Sequence, residues 1–177
     1  MSLKYFLKDL AACSNSTSSL VMFKHLVVSH TLHLTFLFRL GQTLRFIPIV
    51  GGVFRVIIEY IIRILYSSDL SCKAYVGPGL CLVHGHDLVI GADVVIGENC
   101  KIFNGVTFGN KDFDKSSYGN QPTIGNDCVF CTGAKILGPI TISDNVIVAA
   151  NAVLIKDAPK NTIMGGIPAK FIKVNFR

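Results

Sequence analysis

From about residue 70 onward an aliphatic or aromatic residue returns at every sixth position. The series runs Val76, Leu82, Ile90, Ile96, Ile102 and Phe108, then Ile124, Phe130, Ile136, Ile142, Val148 and Leu154. Four positions after most of these openers stands a smaller or β-branched residue: Val94, Cys100, Val106, Cys128, Ala134, Ile140, Val146, Ala152. Gly, Asn and Asp crowd the places between, where tight corners need positive φ or a side chain that caps a turn. An α-helix repeats every 3.6 residues and a flat strand every 2, so neither sustains a period of six. A coil built from three short strands does, one hexapeptide per side, with the openers stacked inward. The pattern predicts an all-β parallel β-helix over this part of the chain.

Two interruptions break the phase. Two extra residues lie between Leu82 and Ile90, in LVHGHDLVI, and a polar excursion spans residues 109–123. Solenoids carry such excursions on the face where they bind. Residues three hexapeptides apart lie above one another, so Leu82, Ile102, Phe130 and Val148 share a side. The third residues of those hexapeptides are His84, Asn104, Thr132 and Ala150, which should form one outer column. That column reads as a base heading a narrow groove for a slim, extended ligand. A neutral imidazole suits proton removal from a hydroxyl, and a carboxylate that fixes its tautomer improves it. Asp69 and Asp87 both qualify as that carboxylate, and His86 is a second, weaker histidine.

Residues 1–66 follow a different grammar. Phe54, Ile57, Ile58, Ile61, Ile62 and Leu65 recur at helical spacing, with Arg55, Glu59 and Arg63 on the opposite face. Pro48 and Gly51-Gly52 divide this helical segment. It holds seven Lys and Arg against Asp9 and Glu59, and so most of the net charge of +6. Apolar and basic together, it predicts either subunit contacts or association with an anionic membrane surface, and no nucleic acid. The opening MSLKYFLKDL lacks the apolar core of a secretory leader, which points to the cytoplasm and to free thiols at all six cysteines. Cys128 and Cys131 form a lone C-x-x-C, too little for zinc, and no metal is expected.

The sequence resembles the serine acetyltransferase branch of the hexapeptide acyltransferases over roughly residues 53–173. The likeness is carried by GLCLVHGHDLVIGADVVIGENCKIFNGVTFGN, by CTGAKILGPITISDNVIVAANAVLIKDAP and by GGIPAKFIK. It implies a left-handed coil and a homotrimer using acetyl-CoA, with pairing of trimers into hexamers left open. It also implies that His84 is the general base, that Asp69, fifteen residues earlier, is its partner, and that Gly109, Asn110, Thr132 and Ala150 line the pantetheine channel. Lys156 and Lys170 would meet the CoA phosphates.

The departures bear on the acceptor. Serine-acetylating members carry an acidic residue before the catalytic histidine and an Arg-His pair in the excursion; here stand Val83, Asn120 and Gln121. On that ground the sequence resembles more closely the capsule and exopolysaccharide O-acetyltransferases of the colanic-acid type. The expected acceptor is then a sugar hydroxyl of a polysaccharide or its lipid-linked precursor, held by Asn104, Asn120, Gln121 and His86. Serine O-acetylation is the alternative, and a non-catalytic β-helix scaffold the second. The expected organisation is a helical segment over 1–66, an acyltransferase β-helix over 67–160 and a C-terminal tail over 161–177. The enzyme would be cytoplasmic, or peripheral on the inner face of the cytoplasmic membrane.

Overall fold

A computed structural model describes residues 2–14, 16, 18–112 and 114–176. A short 3-10 turn at Ser2–Tyr5 leads into four helices, α1 (Phe6–Ser14), α2 (Ser19–Val28), α3 (His30–Leu44) and α4 (Gly51–Tyr66). Ser67 then turns left-handed at φ 48°, which ends α4 and delivers the chain to the first strand.

The coils follow in order. The first holds β1 (Asp69–Leu70), β2 (Tyr75–Val76) and β3 (Cys81–Leu82); the second β4 (Val89–Ile90), β5 (Val95–Ile96) and β6 (Lys101–Ile102). The third holds β7 (Thr107–Gly109), β8 (Thr123–Ile124) and β9 (Val129–Phe130); the fourth β10 (Lys135–Leu137), β11 (Thr141–Ile142) and β12 (Ile147–Val148). After β13 (Val153–Leu154) the chain closes with a hairpin of β14 (Thr162–Gly166) and β15 (Ala169–Val174).

Strands three apart pair in parallel and build three sheets: β1-β4-β7-β10-β13, β2-β5-β8-β11, and β3-β6-β9-β12-β14 with β15 added antiparallel. Each opener of the six-residue series is buried in the shared core. Phe108 and Phe130 meet edge to face there at 4.8 Å between centroids. Between the second and third sheets Asn99, Asp127, Asn145 and Asn161 occupy successive left-handed corners at φ 56–59°. Asn and Asp tolerate that conformation better than other residues with a Cβ.

The helices cover the open end of the first coil. Phe38, Ile58 and Ile62 join its core, and Gly41 lets α3 sit close, since a Cβ there would lie 2.5 Å from Cys72 Sγ. Asp9 and Arg39, both 0% exposed, clasp the two parts together. Arg39 Nε donates to Asp9 Oδ2 at 2.8 Å, and its other nitrogens donate to Asp9 Oδ1, Val76 O and Gly77 O. Asp9 Oδ1 also accepts from the amides of Gly79 and Leu80. Two of the charges counted in the basic N-terminal segment therefore never reach the surface. Among the described residues no single helix is long and apolar enough to cross a membrane; α2 and α3 pass that test together but meet at 88°.

Candidate active site

The third sheet meets the first at one corner of the prism, and the expected column stands there. Val83 N donates to Ile102 O, Phe103 N to Phe130 O, and Cys131 N to Val148 O, which stacks His84, Asn104, Thr132 and Ala150 in register. Thr132 Oγ1 donates to Asn104 Oδ1 at 3.2 Å, a contact possible only between neighbouring coils. Gly105 and Gly133 follow at φ 71° and 75°, and Asp87 and Asn151 take the same left-handed turn at the two ends of the stack. His84, Thr132 and Ala150 are exposed and Asn104 is half-buried, so the column forms an open groove.

The two extra residues make the His84 loop. Gly85 is glycine for a steric reason: a Cβ there would press on Leu34 Cδ2 at 3.0 Å. Ser68 pins the loop, its hydroxyl accepting from Leu88 N at 3.1 Å and lying within bonding distance of Gly85 O. The residue after Ser68 is Asp69, at the start of β1. One short junction therefore carries the loop and the carboxylate together. His84 lies 6.3 Å from the Phe103 ring, edge to face, and 6.4 Å from the ring of His86. Among the described residues the Asp69 carboxylate is held by Arg63, whose Nη2 donates to Oδ1 at 2.7 Å. Among the described residues no hydrogen bond joins Asp69 Oδ2 to the His84 ring, whose neighbours are the rings of Phe103 and His86.

The remaining expected residues fall elsewhere. Gly109 and Asn110 lie at the far end of β7, where the first sheet meets the second and the excursion departs. Lys156 follows β13 near that same corner, and Lys170 lies exposed in β15. Within one chain the groove residues thus occupy two separate corners. Asn120 Nδ2 donates to Ser116 O and Tyr118 O, which shapes the excursion itself. Gln121 Oε1 accepts from Asp93 N at 2.8 Å and its amide packs over Gly91. Each amide thus has one end already engaged within its own chain.

Sequence reasoning placed Arg63 only on a charged helix face and gave no site role to it, to Phe103 or to Lys135. Lys135 Nζ donates to Gly105 O at 2.6 Å and to Thr107 Oγ1, bracing the groove wall. Its outward place beside β7 follows from the six-residue register and was open to the same counting. Cys128 points inward and is buried while Cys131 is half-buried at the corner, so the C-x-x-C is split between two environments. No cluster of three metal-ligating side chains occurs among the described residues.

The fold and the corner define the class: the chain has the left-handed β-helix architecture of the hexapeptide-repeat acyltransferases, capped by helices. The proteins it is similar to are serine acetyltransferases. It is 34% identical over 116 residues to the serine acetyltransferase of Synechococcus elongatus, matching 66% of this chain and 47% of that protein. With the Helicobacter pylori serine acetyltransferase it shares 37% over 110 residues, 62% of this chain and 63% of that one. The chain thus spans about half to three fifths of the length of the curated relatives it matches. No family model matches it.

The Neisseria gonorrhoeae serine acetyltransferase superposes with TM-score 0.86 at 25% identity, covering 98% of this chain and 67% of that one. The Brucella abortus enzyme in complex with coenzyme A superposes at 0.82 and 26%, covering 97% and 68%. These likenesses overturn the expectation of a capsule-type enzyme with a glycan acceptor. That expectation rested on Val83, Asn120 and Gln121 lying where counter-charges were sought, the two amides in the places of those for the acceptor's carboxylate. The structure engages both side chains within their own chain, so their neutrality says nothing about the acceptor.

Proposed function

We propose that the protein is an acetyl-CoA-dependent O-acetyltransferase acting on L-serine, with His84 as general base. The observation that carries this reading is the stacked column of His84, Asn104, Thr132 and Ala150, a histidine at the head of a groove of small and neutral side chains. The serine acetyltransferase relatives support the acceptor. A neutral imidazole at His84 takes the proton of the serine hydroxyl as its oxygen attacks the thioester carbon. The tetrahedral intermediate then collapses, and the departing CoA sulfur receives that proton from the imidazolium. Asp69 supports the imidazolium, through its Oδ2.

A zwitterion leaving water needs counter-charges. In this reading they come from α4 and the His84 loop: Arg63 for the carboxylate, and Asp87 beside His86 for the ammonium. Asn104 and His86 line the acceptor side. Thr132 and Ala150 form one wall of the pantetheine channel and Gly109 and Asn110 of a neighbouring chain the other, with Lys156 and Lys170 toward the CoA phosphates. Because those residues occupy different corners of one prism, the working unit is a homotrimer. The exposed apolar residues of α2 and α4 are the surface for a second trimer or an anionic membrane, and sedimentation with and without vesicles separates the two. The reaction belongs in the cytoplasm.

The test is acetyl transfer to L-serine at fixed acetyl-CoA, read as CoA release. Saturable turnover is expected, and His84→Ala should lose at least about 100-fold while keeping its oligomeric mass. Wild-type protein that releases no CoA with L-serine refutes the acceptor; an active His84→Ala refutes the base.

A further inference from the structure

Cys81 lies on the outer side of its sheet, under the helices. Leu82 points into the core, so Cys81 points outward, where the next coils carry Lys101 and Val129. It is buried because the end of α1 lies across it. There Cys13 Sγ reaches Leu80 O at 3.8 Å, next to Cys81, and the two thiols lie close enough to perturb each other. Both thiols line a surface cavity of about 270 Å³ together with His25, Ser29, Thr31, Val83 and Lys101. The other thiols differ. Cys100 and Cys128 also perturb each other, but both point into the β-helix and are 0% exposed. Cys72 is sealed against Phe38 O, and burial pushes its thiol up to about 12.

We propose that Cys13 and Cys81 are a reversible oxidation site for a small hydroperoxide, closing into a disulfide that fastens α1 to β3. The cavity admits an oxidant of that size. Cys81 is the attacking thiol: the hydrogen bond from Cys13 and the charge of Lys101 pull it below the usual thiol range, against its burial. Its thiolate attacks one oxygen of hydrogen peroxide and breaks the O–O bond, giving a sulfenic acid and hydroxide. The Cys13 sulfur then attacks the Cys81 sulfur, the S–O bond breaks, and the oxygen leaves as water. In total two thiols lose two hydrogens and one peroxide is reduced to two waters. Cys13 Sγ already lies 3.8 Å from Leu80 O, on the peptide bond that leads into Cys81, so the two sulfurs start from one short seam. Val83 lines the same cavity and is bonded to His84, so the link forms on the strand that carries the proposed base.

The experiment exposes the reduced full-length chain to graded hydrogen peroxide and maps peptides without reduction. The expected product is a Cys13–Cys81 linked peptide, about 2 Da lighter than its two parts and reversed by dithiothreitol. It should form at doses that leave Cys100 and Cys128 free. In Cys13→Ser, Cys81 should remain a sulfenic acid that dimedone traps. Linkage of Cys100 to Cys128 first, over-oxidation of Cys81 with Cys13 still free, or no thiol change at either residue overturns the proposal. The wild-type map decides this without any variant that fails to fold.

Discussion

Replacing Asp9 by Ala strips the clasp between the helical segment and the first coil of its anion. Arg39 is then left as a fully buried cation, and the amides of Gly79 and Leu80 lose their acceptor. Removing one partner of a buried ion pair costs about 3–5 kcal/mol. For a chain of this size that corresponds to a melting point lower by roughly 6–20 °C. The double variant Asp9→Leu with Arg39→Met removes the orphaned charge and should regain part of the loss. It should not regain all of it, because Val76 O and Gly77 O lose their donors as well, and an unmet buried backbone group costs about 1–3 kcal/mol. Urea unfolding followed by circular dichroism measures all three proteins. Asp9→Ala within about 1 kcal/mol of wild type refutes the argument, and so does a double variant as stable as wild type.

Asp69→Asn should lower acetyl transfer in the same direction as His84→Ala but less, and His86→Ala should stay near wild type; CoA release measures both. Ala150→Trp should weaken acetyl-CoA binding, read by calorimetry on folded protein, because the indole would fill the groove at the end of the column. Gly97→Ala should cost more than about 2 kcal/mol, since its Cβ would lie 2.5 Å from Gly125 O. Gly52→Ala meets nothing within 4 Å inside α4 and should be neutral or stabilising by up to about 1 kcal/mol. Thermal melts of the two glycine variants make the comparison.

The β-helix was legible because a period of six has a single geometric solution and the corner residues announce themselves. Counting from Leu82 placed His84, Asn104, Thr132 and Ala150 on one corner without any structure. Contacts between the helices and the coil were not legible. Asp9 and Arg39 are 30 residues apart, and nothing in either neighbourhood marks them as buried. The same holds for Cys81, which the repeat places outward and only α1 covers. Gln121 is a related case: from sequence it is assigned to a ligand, while its Oε1 accepts from Asp93 N, 28 residues back and one coil below. Periodicity reports which way a side chain faces, while the element that comes to face it is decided by tertiary packing.

Each of the three sheets begins at a coil covered by helices and finishes under the β14–β15 hairpin or its approach, where Ala158 bridges to Ile142. A stack of parallel strands exposes unpaired amides and carbonyls at its first and last rungs, the kind of surface on which protein fibrils grow. Here helices cover the first rung, and the antiparallel β14–β15 hairpin breaks the parallel stacking at the other, with β15 itself left as the edge strand of its sheet. The solenoid is therefore free to change length only from within, by gaining or losing whole turns of about 4.8 Å between fixed lids. Such a change would lengthen or shorten the furrow beneath His84 in discrete steps and leave the end structures as they are, so the reach of the site and the capping of the stack are set by separate parts of the molecule.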